Sequence, residues 1–358
     1  MLSPVTVRRG DAEQALARAT HRLDSRLEVG GQEHFYLEGQ VAYALPQEQQ
    51  QWLIHSSTQH PGQVQHWVAQ ALGLEQHAVR VECRRIGGGF GGKETQAGHV
   101  AVWAALAAHQ LQRPVKLRLE RDDDFLITGK RHPFSYDYRV GFDDTGRLCG
   151  LALQMLAHCG FSADLSGPVA DRALFHADNA YFLQDVLITS YRCKLNTQSH
   201  TAFRGFGGPQ GMIVIETILG DIARHLGLDP LAVRRRNLYS DEPVLASDDV
   251  SAAKPSQRRD TTHYGMPVEG NILAPLLSQL EHSADYQSRR EAISLWNSKS
   301  AVLRRGIAIT PVKFGISFTA TLFNQAGALV HVYQDGSVQV NHGGIEMGQG
   351  LHTKVAQL

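Results

Sequence analysis

The sequence predicts an α+β fold, a mixed α/β arrangement of sheets and helices, on three observations. Strand-length apolar runs and helix-length periodic runs occur along all 358 residues. Two pairs of strand-like runs are joined by Asp143-Asp144-Thr145-Gly146 and by Asp335-Gly336, turn sequences that favour antiparallel hairpins. Three loops rich in glycine interrupt the pattern, and each runs on into a helical stretch.

Composition narrows the function classes. The 35 basic and 35 acidic residues balance, so no net charge draws the chain to nucleic acid or to an acidic membrane. Arg234-Arg235-Arg236 closes a helical stretch and reads as a solvated helix end. Cys83, Cys149, Cys159 and Cys193 contain no C-x-x-C pair, which excludes the usual cysteine spacing for zinc or iron–sulfur ligation. No apolar run reaches the roughly 18 residues of a membrane span, and Met1-Leu2-Ser3-Pro4 does not open a charged-then-apolar leader, so a cytoplasmic protein is expected.

Taken in order, Ala12 to Ala19 has helical character and leads into a strand that ends near Arg26. Phe35 to Leu45 alternates as a half-exposed strand. Before it stand Glu33 and His34, either a ligand pair or a carboxylate beside a buried, hydrogen-bonded histidine. The second is favoured because no further metal-type residue lies at fixed spacing. Trp52 to Ser56 forms a strand, Gln59 stands just before a turn, and Val64 to Leu72 forms a helix.

Val79 to Ile86 reads as a strand and Ala97 to Leu111 as a buried helix, with Gly87-Gly88-Gly89-Phe90-Gly91-Gly92-Lys93-Glu94 between them. Removing side chains there lets backbone N–H groups approach a ligand, and a strand, a glycine loop and a helix N-terminus together favour an anion. Gly87, Gly89 and Gly92 also satisfy G-x-G-x-x-G, and Glu120 follows Val115 to Leu119 at a spacing tolerable for a ribose-binding acid. A dinucleotide site is therefore a live alternative.

Tyr136 to Phe142 and Leu148 to Leu156 form the first hairpin, and His158 to His200 is less regular. In that region Arg172 stands among apolar neighbours and needs a partner if buried. The second glycine loop, Phe203 to Gly211, opens a helix, Met212 to Leu226, capped by Gly227. Ser240 to Thr262 is polar and aperiodic, a linker or long loop.

Helical stretches follow at Asn271 to Leu280 and Ser288 to Lys299, then a strand at Gly306 to Pro311 that leads to Lys313-Phe314-Gly315-Ile316-Ser317-Phe318-Thr319. The second hairpin spans Leu329 to His342. The third glycine loop, Gly343 to Gly350, runs into a helical pattern that has no cap at Leu358. The expected organisation is a first unit over 1–240, a linker over 241–262 and a second, incomplete unit over 263–358. Three such loops suggest one large phosphate-bearing ligand held from several sides.

Four of these motifs, in this order, closely resemble the molybdopterin-binding region of the xanthine dehydrogenase family: the loop with Lys93-Glu94, Thr201-Ala202-Phe203-Arg204-Gly205-Phe206-Gly207-Gly208, Lys313 to Thr319, and Glu346 to Lys354. The likeness runs over nearly the whole chain, is weakest from Ser240 to Thr262, and outranks the dinucleotide reading. It implies two subdomains of a molybdenum hydroxylase, with the metal carried by a pterin cofactor and not by protein ligands.

The resemblance implies that Gln59 and backbone groups at Phe90 and Arg204 contact the molybdenum centre. It further implies that Gly89, Gly91, Gly348, Gln349 and Gly350 face the cofactor, and that Glu94, Arg172, Phe206, Phe318 and Thr319 meet a purine. Glu94 and Arg172 would orient the ring and stabilise developing charge, while the two phenylalanines would sandwich it. The pair Glu94 and Arg172 favours a purine over the substrates of related aldehyde oxidases. The implied reaction is hydroxylation of a ring carbon with oxygen from water, with electrons leaving through iron–sulfur clusters and FAD to NAD. Those groups would lie on other domains or subunits, in a higher oligomer. The family's general base would lie beyond Leu358, so the chain by itself is expected to be inactive.

Overall fold

The computed structural model describes residues 2–240 and 259–358; most of the expected linker, 241–258, lies outside the described residues. In chain order the strands are β1 (Leu2–Arg9), β2 (His21–Val29), β3 (Val41–Pro46), β4 (Trp52–Ser56), β5 (Val79–Glu82), β6 (Val115–Arg118), β7 (Phe134–Phe142), β8 (Leu148–Gly160), β9 (Val186–Lys194), β10 (Ala328–Val332) and β11 (Val338–His342). The helices are α1 (Ala12–Arg18), α2 (Pro61–Leu72), α3 (Ala97–Leu111), α4 (Arg121–Ile127), α5 (Ser166–Phe175), α6 (Gly208–Leu226), α7 (Pro230–Asn237), α8 (Leu273–Ser283), α9 (Tyr286–Lys299) and α10 (Leu351–Ala356).

The larger sheet has the order β1-β9-β8-β7-β2, with β8 and β9 parallel and the other pairs antiparallel. Strand alternation puts Tyr136, Tyr138, Val140 and Phe142 on one face, where they meet Val214, Ile215, Ile218 and Ile222 of α6. The two tyrosines are buried to their hydroxyls, which donate to the Gln210 carbonyl and the Asp221 carboxylate of that helix. Gly141 and Gly150 lie under α1 and leave room for Leu16 and Ala15, since a Cβ on Gly150 would stand 2.8 Å from that of Ala15.

The smaller sheet has the order β5-β4-β3-β6 and is covered on one face by α2 and α3. The alanines Ala101, Ala104, Ala105 and Ala108 bring α3 close to Ala42 and Ala44 of β3. At Gly98 the Trp67 indole of α2 passes 2.1 Å from where a Cβ would sit, so no larger residue fits this crossing.

This sheet also corrects the dinucleotide alternative. The crossover β5–α3–β6 joins opposite edges of the sheet, with β4 and β3 between them, whereas the first βαβ unit of a Rossmann fold joins neighbouring parallel strands, with the nucleotide outside their carboxyl ends. Glu120 caps α4 and belongs to no such unit. The expected strand Val79 to Ile86 ends at Glu82, and α3 starts only at Ala97, so the first glycine loop is not seated on a helix N-terminus. The second loop is, because Gly207 is the residue before α6.

Among the described residues beyond the linker, α8 and α9 form a helical pair, and Ser240 bridges Arg259. The expected strand Gly306 to Pro311 does not form. Side chains take the place of a neighbouring strand there: Asn179 donates to the Pro311 carbonyl at 2.9 Å and accepts from the Lys313 N–H at 3.2 Å, and His176 accepts from the Gly315 N–H at 3.0 Å. The hairpin of β10 and β11 pairs from Ala328↔His342 to Val332↔Val338, as its turn chemistry demands, with Gly336 at φ +83°.

Candidate cofactor and substrate site

The three glycine loops converge. The Arg204 N–H donates to the Phe90 carbonyl at 2.9 Å, which joins the second loop to the first. The Ile86 N–H donates to the Glu346 carbonyl at 2.9 Å, which joins the third to the entry of the first.

The first two loops share one backbone shape because they share Gly-Phe-Gly-Gly. Phe90 has φ +53° and Gly91 +98°; Phe206 has +48° and Gly207 +98°. In each, the fourth residue donates back to the first, Gly92 to Gly89 at 2.8 Å and Gly208 to Gly205 at 2.9 Å, which makes both type I′ turns. A phenylalanine in the left-handed region costs roughly 1–3 kcal/mol, strain of the kind that concentrates at functional sites.

Gln59 holds the first loop. Its Oε1 accepts from the Gly91 N–H at 2.9 Å and the Lys93 N–H at 3.3 Å, and a Cβ on Gly89 would stand 2.4 Å from that oxygen. With the oxygen so engaged, the amide N–H2 is the end that can donate to a ligand, and it has no partner among the described residues. Phe90 is exposed at the crest of the loop, and Arg204 is exposed as well.

Two supports of this cradle escaped the sequence reading. Glu38 ties both ends of the first loop: its carboxylate accepts from the Gly87 N–H at 2.9 Å, and its carbonyl accepts from Lys93 Nζ at 2.7 Å. Lys93 is fully buried, also donates to Ser57 Oγ at 2.7 Å, and burial depresses its pKa to about 8. The legible signal was a lysine directly after a run of glycines, since a charge in such company needs fixed partners. Arg131 does the same for the second loop, donating to the Arg204 carbonyl at 2.9 Å and lying 4.1 Å over the Phe203 ring; burial lowers its pKa to about 10. His34 is the buried, hydrogen-bonded histidine of the favoured reading, 2.6 Å from the Ala202 carbonyl and edge-on to Phe203.

In the third loop the Glu346 carboxylate accepts from the N–H groups of Gly348 at 2.7 Å and Gly350 at 3.2 Å. These hydrogen bonds hold its pKa below the usual carboxylate value. Gln349 is engaged at both ends, accepting from Met347 N–H at 2.7 Å and donating to the Ile345 carbonyl at 2.8 Å. The loop is thus built around a carboxylate of its own.

Beside the loops, Glu94 is half-buried, and no side-chain partner is found for it among the described residues. Burial raises its pKa to about 7, with the nearby Asp164 carboxylate adding to the shift. Arg172 is buried on α5; its Nη2 donates to the carbonyls of Gly315 and Ser317, its guanidinium lies 4.9 Å from the Phe314 ring centre, and its Nε is buried without a partner. Phe206 and Phe318, more than one hundred residues apart in sequence, meet with ring centroids 4.9 Å apart and planes at 52°, in a cluster with Leu165, Val169 and Ala202. At that separation the rings touch, so a flat ligand enters between them only if they part. Thr319 Oγ1 donates to the Pro168 carbonyl at 2.8 Å.

The raised Glu94 pKa makes a stability prediction. A carboxyl whose folded pKa lies above its unfolded value binds more protons when folded, so its contribution is most favourable below the unfolded value of 4.5 and is lost as pH rises towards about 7. Glu94→Gln is therefore expected to stabilise the protein at pH 8 by roughly 1–3 kcal/mol and to have little effect at pH 4.5. Thermal unfolding at the two pH values checks this; equal shifts at both would contradict it.

Fold and site together describe a surface built from glycine-loop backbone and the Gln59 amide. Among the described residues no group of three His, Cys, Asp or Glu could hold a metal ion. The free amide N–H2 of Gln59 and the close-set backbone of the loops suit a metal carried on an organic ligand of its own.

Residues 2–238 match the family model of a molybdopterin cofactor-binding domain, and residues 279–358 match that of a second molybdopterin cofactor-binding domain. The chain belongs to the molybdopterin cofactor-binding family, and its cofactor is molybdopterin with molybdenum.

Its relatives narrow the group further. The chain is 43% identical over 353 residues to the xanthine dehydrogenase/oxidase of Gallus gallus, covering 98% of this chain and 25% of that protein. It is 41% identical over 348 residues to the xanthine dehydrogenase of Calliphora vicina, covering 97% and 24%. It therefore spans about a quarter of the length of the curated relatives it matches. Its fold is that of quinoline 2-oxidoreductase from Pseudomonas putida 86, with a TM-score of 0.77 and 21% identity over 99% of this chain and 44% of that one. It is also that of a Cu,Mo-CO dehydrogenase, with a TM-score of 0.80 and 18% identity over 99% and 45%.

Proposed function

We propose that this chain forms the cofactor cradle and part of the substrate pocket of a xanthine dehydrogenase-type molybdenum hydroxylase that converts hypoxanthine and xanthine to urate. The observation that carries the reading is the meeting of Phe206 with Phe318 in the neighbourhood of Arg172, across more than one hundred residues, in a chain 41–43% identical to xanthine dehydrogenases.

When bound, the cofactor supplies the redox chemistry that lets oxygen from water replace hydrogen on a ring carbon. The chain's own residues do the rest of what is assigned to this region. Gln59 donates its amide N–H to the metal centre, held in place by the loop N–H groups on its oxygen. Phe90 offers its backbone N–H to the same centre, beside Arg204, whose own N–H fixes the Phe90 carbonyl, and Gly89, Gly91, Gly348, Gln349 and Gly350 face the pterin.

Glu94, with a pKa of about 7, can offer a proton as well as a lone pair to the purine edge. Arg172 has a buried Nε left to donate and a permanent charge that stabilises negative charge developing on the ring. Thr319 adds a polar contact. Iron–sulfur clusters and FAD on other domains or subunits carry the electrons to NAD.

The test uses the full-length protein that contains this chain. Purified protein is expected to hold molybdenum and to form urate from xanthine with reduction of NAD. A kcat/KM for simple aldehydes at least tenfold above that for xanthine would replace the purine reading with an aldehyde one.

A further inference from the structure

The segment that carries Phe314 and Phe318 runs antiparallel to α5 and is gripped by one face of that helix and the turn after it. Thr319 Oγ1 donates to the Pro168 carbonyl at 2.8 Å, and Arg172 Nη2 donates to the carbonyls of Ser317 and Gly315. The Gly315 N–H donates to His176 Nε2 at 3.0 Å. Beyond the helix, the Asn179 amide accepts from the Lys313 N–H at 3.2 Å and donates to the Pro311 carbonyl at 2.9 Å. Pro168, Arg172 and His176 recur at every fourth residue, whereas their partners Thr319, Ser317 and Gly315 recur at every second. Four residues of helix rise about 6 Å and two residues of extended chain about 6.6 Å, so helix and segment stay in register.

At the centre of this register the hydrogen bonds close a ring. His176 Nδ1 lies 2.9 Å from the Arg172 carbonyl, which can only accept, so the proton is on Nδ1. The Gly315 N–H can only donate, so Nε2 is bare. His176 is thus a neutral imidazole in one tautomer, and a second proton would set an Nε2–H against the Gly315 N–H. Burial holds the imidazole pKa below its usual value; Arg172 and Lys313 add to that shift, and the bond to the Arg172 carbonyl and the Asp178 charge oppose it. The Phe314 ring is wedged at the same place, 5.1 Å from the His176 ring and 4.9 Å from the Arg172 guanidinium. Its other side meets Gly208, where a Cβ would stand 2.5 Å from the ring.

We propose that His176 is the positioning residue for Arg172: as a neutral imidazole with its proton on Nδ1, it ties the Arg172 carbonyl to the Gly315 N–H, and so fixes both the carbonyls that hold the guanidinium and the run that presents Phe318. Arg172 is then set with its Nε unclaimed. The role of Arg172 as a substrate contact rests on the function proposed above; the hold of His176 on Gly315 does not.

The experiment is made in the molybdenum-loaded full-length protein, with xanthine as the probe. Leucine at this position fills the volume and makes neither hydrogen bond, whereas glutamine can place an amide oxygen where Nε2 stands and accept from Gly315. In His176→Leu the Gly315 amide, followed by hydrogen exchange in overlapping peptides, is expected to exchange at least about tenfold faster, and in His176→Gln to stay within about threefold of wild type. The kcat/KM for xanthine should fall about tenfold in His176→Leu with molybdenum content retained, and recover to within about threefold of wild type in His176→Gln. In an Arg172→Ala background His176→Leu should cost less than about twofold, since a residue that acts through Arg172 has nothing left to position.

Unmoved exchange at Gly315 in His176→Leu, a His176→Gln protein no better than His176→Leu, or an equal loss of turnover in both backgrounds would overturn the proposal. So would a loss of molybdenum in step with turnover, which would make His176 a support of the whole cradle. Faster exchange at Gly315 in His176→Leu, when the wild type has no xanthine turnover, would uphold the positioning by His176 and reject the purine reading instead.

Discussion

Replacing Glu94 or Arg172 by alanine in the full-length protein is expected to lower kcat/KM for a purine by about 100-fold or more while molybdenum content stays at the wild-type level. Neither side chain hydrogen-bonds to a glycine loop among the described residues: Glu94 has no side-chain partner there, and Arg172 reaches Gly315 and Ser317. Each change removes a group that can interact with the ring, Glu94 by a proton near neutrality and Arg172 by its charge. Arg172→Ala also frees the carbonyls of Gly315 and Ser317, which should loosen the segment bearing Phe318. Arg172→Lys, which keeps a charge but not the planar fork, should recover part of the loss. Metal analysis beside steady-state kinetics checks both. A loss of molybdenum in step with activity would move these residues from the substrate to the cofactor.

Gly207→Ala is expected to cost roughly 2–5 kcal/mol of stability and to abolish cofactor loading. An added Cβ would stand 2.0 Å from the Val169 carbonyl oxygen and 3.0 Å from the Ala173 nitrogen, both in the backbone of α5, and φ at this residue is +98°. Backbone cannot swing aside as a flexible side chain can, so either the second loop leaves α5 or α6 loses its seat. Gly91→Ala meets the Ala202 backbone at 2.8 Å with the same φ, and should separate the first loop from the second. Gly227→Ala is the comparison: its φ is +68°, but the added Cβ meets open space, so it should cost about 1–2 kcal/mol of conformational strain and leave the cofactor bound. Thermal unfolding and molybdenum content measured together distinguish them. Full cofactor content in Gly207→Ala, with no greater destabilisation than Gly227→Ala, would show that the loops tolerate movement the structure does not suggest.

Much of the fold was legible because its signals are local. Ala97–Leu111 is the helix that apolar periodicity indicates, and both hairpins sit where their Asp-Gly and Asp-Asp-Thr-Gly turns place them. The misread elements are those whose state depends on a distant partner. Val79 to Ile86 has strand-like residues throughout, yet only the stretch to Glu82 finds β4; Ile86 instead donates to Glu346. Gly306 to Pro311 has strand composition, but its Pro311 carbonyl meets the Asn179 side-chain amide in place of a ladder.

The site divides along the same line. The amino-acid order alone determined the three glycine loops, the repeated Gly-Phe-Gly-Gly, the hairpins and the family likeness, because each lies within a few consecutive residues. Only the tertiary structure decided that Glu38 and Lys93 clamp the first loop, that Arg131 clamps the second, that Phe206 touches Phe318, and that His176 stands between the Arg172 carbonyl and the Gly315 N–H. Burial decided the chemistry of these groups as well: desolvation lowers the Lys93 pKa to about 8 and raises that of Glu94 to about 7, and the surroundings that desolvate them come from chain far away in sequence.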